Sequence, residues 1–573
     1  MRKTKLQIWF RKDKNQEIIF LLFIYFLGIL FRLVPRLSLD PYLLTLNADI
    51  WYRLCLVQYL LDNDHLPTWD IRYLAYGQVP LWYPPLGLYL YAFLAKISAL
   101  DLPIVMSRIM PFLESLCILP TYFLCRYLYN RNVAILSTIV LSLTPCFVYW
   151  TGIATPQSTT IFFIPIILGL WIRYVEAKFL WHNKFVHLFL MGLMMAINFL
   201  IHLTFFNLVM ILIFSHLGLI YVKKTSWQKF FDLLVPIAIS QILTIWWWGP
   251  HHLYWWWTQV LTTSPGFFLH IAGAKYLSEH GSLSAFLGYM SFFFIYYLAI
   301  KRKASHGYFM IPVFWAIFPL IESHMEDILL LTQKTEWWVH TLIKPLEGFR
   351  FYVFLAQPLA ICVGLALEEI RLRIRPYASS QKFSRISSIL IWVIFIGLLL
   401  DILFFYNLSQ RFRWHRLEKA DIQAAQWFRS HTKKGDRILA DDYSAQLFSG
   451  IAGGRALLGS MFPLRNVTIP YISGSWIVLY DIHTLYKSMD INEIQTILSK
   501  YKCRYVYYSN EVLRRIEYLV NGQGDAKGER EGKYDQLIDI DHSKTLLNPK
   551  FFKVVYDHNG RKILKFLKEF NLP

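Results

Sequence analysis

The stretch LNADIWYRLCLVQYLLDNDHLPTWD, Leu46 to Asp70, decides how the rest of this chain reads. It follows the first strongly apolar run, and it gathers Asp49, Arg53, Asp62, Asp64 and Asp70 where that run would leave a bilayer. Trp51, Leu54, Val57, Leu60 and Leu61 recur at helical spacing, so the segment reads as a helix along the membrane surface, opened by Asp49. An aspartate there is often only an N-cap. This loop, however, is long and charged, and it ends in PLWYPPLGLYLY, a rigid aromatic and proline approach to the next apolar run.

Composition sets the class around it. Of 573 residues, 55% are hydrophobic and 17% charged, and the mean hydropathy is +0.37. Soluble domains carry roughly 25% charged residues, so the chain reads as an integral membrane protein. The net charge of +20 does not point to nucleic acid, because the basic residues sit in short clusters between apolar runs, as the positive-inside rule requires. The six cysteines form no CxxC pair and no zinc spacing, and most lie in apolar stretches as small hydrophobes. The basic start MRKTKLQIWFRKDKNQE leads into a run with no small-residue cleavage site, which predicts a retained first helix.

Runs long enough to cross a bilayer fall near 18–35, 104–125, 134–150, 159–175, 185–203, 205–222, 231–249, 284–300, 308–321, 349–368 and 386–407, with 86–100 a further candidate. The expectation is a polytopic α-helical protein of about 11–13 transmembrane helices. Basic flanks place the N-terminus in the cytoplasm, and alternation then puts 36–85, 151–158, 250–283, 322–348 and everything after about 408 on the outer face. Residues 1–407 form the transmembrane part, with outer loops 36–85 and 250–283 as its working loops, and 408–573 read as an α/β domain on the outer face. There EKADIQAAQWFRSHTKKGDRILADDYS reads as helix, turn and strand, CRYVYYS as a strand, and FFKVVYDHNGRKILKFL as a hairpin turning at Asn559-Gly560. NGQGDAKGEREGKYDQ reads as a mobile loop.

ADIWYRLCLVQYLLDNDHLPTWD, followed by WYPPLGLYLYAFLAKI, resembles the first outer loop of the catalytic subunit of archaeal-type oligosaccharyltransferases. These belong to the GT-C class of glycosyltransferases, which use polyprenyl-phosphate-linked sugar donors. The resemblance continues along most of the chain and implies the GT-C fold. It implies that Asp49, leading DIWYR, is the catalytic acid that binds metal and acceptor, while the family's arginine is displaced to Arg53. It implies acceptor and metal contacts from Glu279 in YLSE, at the place of a Thr-Ile-x-Glu stretch. Arg350, in EGFRFYVFLAQP, stands where the family holds the donor phosphate, a task suited to a guanidinium. Asp442 and Tyr443 match the middle of the Trp-Trp-Asp-Tyr-Gly signature that reads the acceptor, without its tryptophans or glycine.

Two departures shape the expected chemistry. The second outer loop of the family carries an Asp-x-Glu pair, where this chain has Thr155-Pro156-Gln157. A site with Asp49 and Glu279 as metal ligands is short of oxygens for Mg²⁺ or Mn²⁺. Three readings follow. The first is an oligosaccharyltransferase-like membrane glycosyltransferase that moves a sugar or oligosaccharide from a polyprenyl-phosphate donor to a protein or glycolipid acceptor. The second is a metal-dependent N-oligosaccharyltransferase drawing ligands from Asp62, Asp64 or Asp70, and the third a non-catalytic glycolipid-binding scaffold. A transporter fits less well, since no paired, broken helices appear in two similar halves.

Overall fold

The computed structural model describes residues 14–37, 48–68, 81, 83–152, 155–176, 181–202, 204–260, 281–301, 307–323, 352–374, 392–404, 418–433, 435–453, 456–457, 481–482, 484–510, 512–513 and 545–568. Among these residues, seven helices are long and apolar enough to cross a membrane, or eight if one bent pair counts as a span, and four shorter apolar helices accompany them. The protein is a multi-pass membrane protein.

In chain order the helices are α1 (Lys14–Leu37), α2 (Ala48–Asn63), α3 (Pro85–Ser98), α4 (Leu102–Leu128), α5 (Arg131–Leu143), α6 (Pro145–Gly152), α7 (Pro156–Glu176), α8 (Trp181–Ile201), α9 (Phe205–Tyr221), α10 (Trp227–Asp232), α11 (Leu234–Val260), α12 (Ser282–Lys301), α13 (Met310–Ser323), α14 (Tyr352–Ile374) and α15 (Trp392–Phe404). The run expected as one span over 134–150 is two helices bent by 67°. Pro145 accounts for this: it disfavours helical geometry at Thr144, whose ψ is 115°. The α4 span is also irregular, with a π-helical turn at Val105–Ile109 and a break at Leu116–Cys117. α9 and α13 cross closely at Gly218, where an added Cβ would lie 2.8 Å from the Phe314 ring.

After α15 come α16 (Lys419–His431), β1 (Ile438–Leu439), α17 (Asp442–Ala452), β2 (Ala456–Leu457), α18 (Ile491–Lys500), β3 (Tyr505–Tyr508), β4 (Phe552–His558) and β5 (Arg561–Phe566). The sheet order is β2-β1-β3-β5-β4, with β1 parallel to β2 and β3 and the last two strands antiparallel. The hairpin turns at Asn559-Gly560, both at positive φ, as a type I′ turn demands. A reciprocal capping box between Glu418 and Asp421 starts α16. The segment expected as a mobile loop, 521–536, lies outside the described residues. All six cysteines are buried and none is in a disulfide.

One apolar core joins the sheet to the bundle. It runs from Ile50, Trp51, Leu54 and Val57 of α2, through Tyr83, Leu88 and Tyr91, to Phe428, Phe448, Val506 and Ile563. Ile50, Trp51 and every residue from Arg53 to Val57 are buried, so α2 is enclosed on several faces instead of lying along a surface. Its partner is α17. Gly450 comes so close that a Cβ would sit 3.0 Å from Trp51 Cε3 and 3.1 Å from its carbonyl oxygen.

Candidate functional site

Asp49 falls in the first turn of α2, and Asp442 and Tyr443 in the first turn of α17, the helix packed against it. Asp441, not Asp442, caps α17, accepting from Ser444 N. The side chains of Asp49, Asp442 and Tyr443 lie outside the described part, as do Glu279 and Arg350 entirely. The start of α2 meets α17 at Gly450, about two turns past Asp442 and Tyr443.

One turn beyond Asp49, Arg53 is buried beneath α2. Its Nε donates to the Tyr83 hydroxyl at 2.8 Å, and the guanidinium carbon stands 5.8 Å from that ring. Tyr83 meets His202 edge-on at 6.3 Å. Pro84 and Pro85 fix the chain direction here, since Pro85 opens α3 with φ already helical. Tyr91, two turns into α3, is fully buried. It stands beside Thr159 and in the field of Glu114, Arg53 and Tyr83, and its hydroxyl makes no hydrogen bond among the described residues.

The floor of this cluster comes from α1, α4, α6 and α7. Glu114 on α4 accepts from Thr159 Oγ1 at 2.7 Å. Arg32 on α1 is 1% exposed. It donates from Nε and Nη2 to Thr151 Oγ1, at 3.0 and 2.6 Å, and from Nη1 to Gly28 O at 2.8 Å, and it is the cation facing Glu114. Thr204 donates to Thr160 Oγ1 at 3.0 Å, and Asn198 to Thr160 O at 3.0 Å. These bonds tie the start of α9 and the end of α8 to the start of α7. A buried layer of cations, phenols, hydroxyls and one carboxylate therefore lies under α2, at the end of the bundle that carries the sheet.

The Thr155–Ser158 turn, where the family's acidic pair was sought, holds hydroxyls bonded to each other at 2.6 Å. Among the described residues no three His, Cys, Asp or Glu side chains converge on one point. Asp62 is engaged by Gln58 at 2.9 Å and Asp64 by Lys96 at 2.7 Å, while Asp70 lies outside the described residues. The Lys96 hydrogen bond, then its charge, hold the Asp64 carboxyl below its usual value. The ligands that the resemblance implies, the Asp49 side chain and Glu279, lie outside the described part.

Arg32 and Glu114 were not singled out from the sequence, and Arg53 was read only as displaced. Their signal was present: each of the first two is a charge inside an apolar run, GILFRLVP and PFLESLC, and such charges are costly unless they serve a purpose.

No family profile and no curated protein matches the chain. Solved structures do. The archaeal oligosaccharyltransferase AglB from Archaeoglobus fulgidus, in complex with an inhibitory peptide and a dolichol-phosphate, aligns with TM-score 0.57 and 14% identity, over 86% of this chain and 69% of that one. ArnT from Cupriavidus metallidurans, bound to undecaprenyl phosphate, aligns with TM-score 0.58 and 11% identity, over 98% of this chain and 100% of that one. The fold is that of GT-C membrane glycosyltransferases. The A. fulgidus enzyme tethered to an acceptor peptide with an NVT sequon aligns similarly, with TM-score 0.59 and 15% identity, over 90% of this chain and 72% of that one. At such identities the GT-C likeness is one of architecture, and the chemistry must be argued from this chain's own residues.

Proposed function

We propose that the protein is a glycosyltransferase that moves a sugar or oligosaccharide from a polyprenyl-phosphate-linked donor to an acceptor outside the cytoplasm. The observation that carries this reading is the buried layer of Arg53, Tyr83, Tyr91, Glu114 and Arg32 under the helix that begins with Asp49, in a fold whose solved examples hold polyprenyl phosphates. Residues up to about 407 form the catalytic bundle and 408–573 the outer part. The N-terminus is cytoplasmic.

In the proposed step an acceptor nucleophile attacks the anomeric carbon of the donor. Asp49 takes the acceptor's proton as the new bond forms. The bond from the anomeric carbon to the phosphate oxygen breaks, and the phosphate leaves with the electron pair, its charge met by Arg350. Glu279, Asp442 and Tyr443 hold the acceptor, the latter two from the first turn of the helix packed on α2.

The test is transfer in membranes of a host without such enzymes, from labelled polyprenyl-phosphate and polyprenyl-pyrophosphate sugars, with and without EDTA. Transfer that survives EDTA and is lost in Asp49→Ala is the expected result. Loss with EDTA would instead support a metal-dependent oligosaccharyltransferase. Donor binding with no transfer from any donor would make the protein a scaffold.

A further inference from the structure

A second polar feature lies in the bundle away from Asp49. Glu322, near the end of α13, is 1% exposed, and neither carboxylate oxygen has a hydrogen-bond partner among the described residues. Beside it stands Asn207 of α9, also 1% exposed and near enough to interact with the carboxyl group, with no aligned hydrogen bond on either amide atom among the described residues. α13 and α9 also meet through Phe318, which packs edge-on to Phe206 at 5.6 Å and stacks with Phe214 at 6.1 Å. Asn207 is three residues past Thr204, which donates to Thr160 of α7.

An unpaired carboxylate inside an apolar bundle is costly, and natural membrane proteins keep such groups for ligands or relays. One carboxylate and one amide oxygen are too few for a hard divalent cation, which takes six or more oxygens. They suit a ligand that brings its own hydrogen-bond donors. The carboxylate accepts from two neighbouring hydroxyl or amino groups, and the carboxamide gives one donor and one acceptor. We infer that Glu322 and Asn207 form a subsite for the sugar ring of the donor, binding its hydroxyl or amino groups. This rests on the reading that the bundle takes a lipid-linked sugar.

The experiment uses the full chain in nanodiscs, with Glu322→Gln and Asn207→Ala beside wild type. Two lipids are titrated, bare polyprenyl phosphate and polyprenyl-phosphate glucose. Free glucose, N-acetylglucosamine and glucosamine are followed by saturation-transfer NMR. Both variants are expected to weaken the glucose-bearing lipid by about tenfold or more and to leave the bare lipid within about twofold. Loss of glucosamine alone in Glu322→Gln would identify an amino group as the recognised donor, and loss of all three sugars would identify hydroxyls.

Equal affinities of wild type for the two lipids would overturn the subsite while leaving the donor reading intact. If wild type binds neither lipid, the donor reading fails, and the free sugars decide the subsite: signals that Glu322→Gln abolishes support it, and no signal overturns it. Parallel loss of both lipids in the variants would mark damage to the fold and count against the subsite. Thermal unfolding separates these cases, because Glu322→Gln keeps the shape of the buried side chain and is expected to leave Tm unchanged or higher.

Discussion

Two buried ionic groups in this molecule are built in opposite ways. In the sheet region, Asp421 is fully buried and fully engaged. Its Oδ2 accepts from Glu418 N at 2.7 Å, and its Oδ1 accepts from Arg561 Nε at 3.1 Å and from the Tyr507 hydroxyl. Arg561 also reaches Glu418 at 3.1 Å. In the bundle, Glu322, Asn207 and the Tyr91 hydroxyl are as deeply buried and lack such partners. A saturated network fixes how α16, β3 and β5 sit together, whereas unsatisfied groups are a standing cost that a bound molecule can relieve. Saturation therefore separates architecture from candidate chemistry here better than burial or charge does.

That contrast can be broken in several ways. Asp49→Ala should lower transfer about 10³-fold or more with little change in Tm, since the role proposed for it is chemical; transfer and calorimetry on the same preparation decide it, and a fall in Tm with activity retained would reverse the assignment. Asp421→Ala should do the opposite. It leaves Arg561 with Glu418 alone and strips the Tyr507 hydroxyl and the Glu418 N–H of their acceptor, and should cost about 3–5 kcal/mol, read by denaturant unfolding, with much of it recovered when Arg561→Met is added. Failure of that recovery would mean the network is not the unit described.

Gly450→Leu tests the junction between the two regions. A Cβ there meets Trp51 at 3.0 Å, so α17 must shift, at roughly 1–3 kcal/mol. Earlier proteolytic release of the C-terminal region is the expected readout. Asp64→Asn should be the smallest effect, a Tm change of about 1 °C or less. Because Lys96 lowers the Asp64 pKa in the folded state, the pair's contribution is present above the unfolded value and fades as pH falls through the lower folded one. Any difference between wild type and Asp64→Asn should therefore shrink on acidification, as a Tm series from pH 7 to pH 3 would show.

Much of this was legible in the sequence where local rules suffice. The apolar runs gave the spans because a bilayer demands long ones, and Asn559-Gly560 gave the hairpin because few residues accept positive φ in succession. The bend before Pro145 was in the letters too, but hydropathy averages across it. The position of α2 was not readable. Its stripe fitted a membrane surface equally well, and only the approach of Gly450, some 400 positions later, shows what covers it. For the site, Asp49 and Asp442 are expected only through motif resemblance; their helices pack on one another at Gly450, and their side chains lie outside the described part. Glu114 and Glu322 escaped because each occurs singly in an apolar run and takes its meaning from neighbours on other helices.

The shared core of α2 and the sheet has a consequence for how the protein is made. Trp51, Leu54 and Val57 leave the ribosome early, yet Phe448, Val506 and Ile563, which complete their core, are synthesised last. During translation and insertion α2 waits with its apolar residues uncovered while the spans are threaded. Chaperone demand and premature degradation should concentrate in that interval, and substitutions in the final strands should be felt first as lost yield of the whole chain.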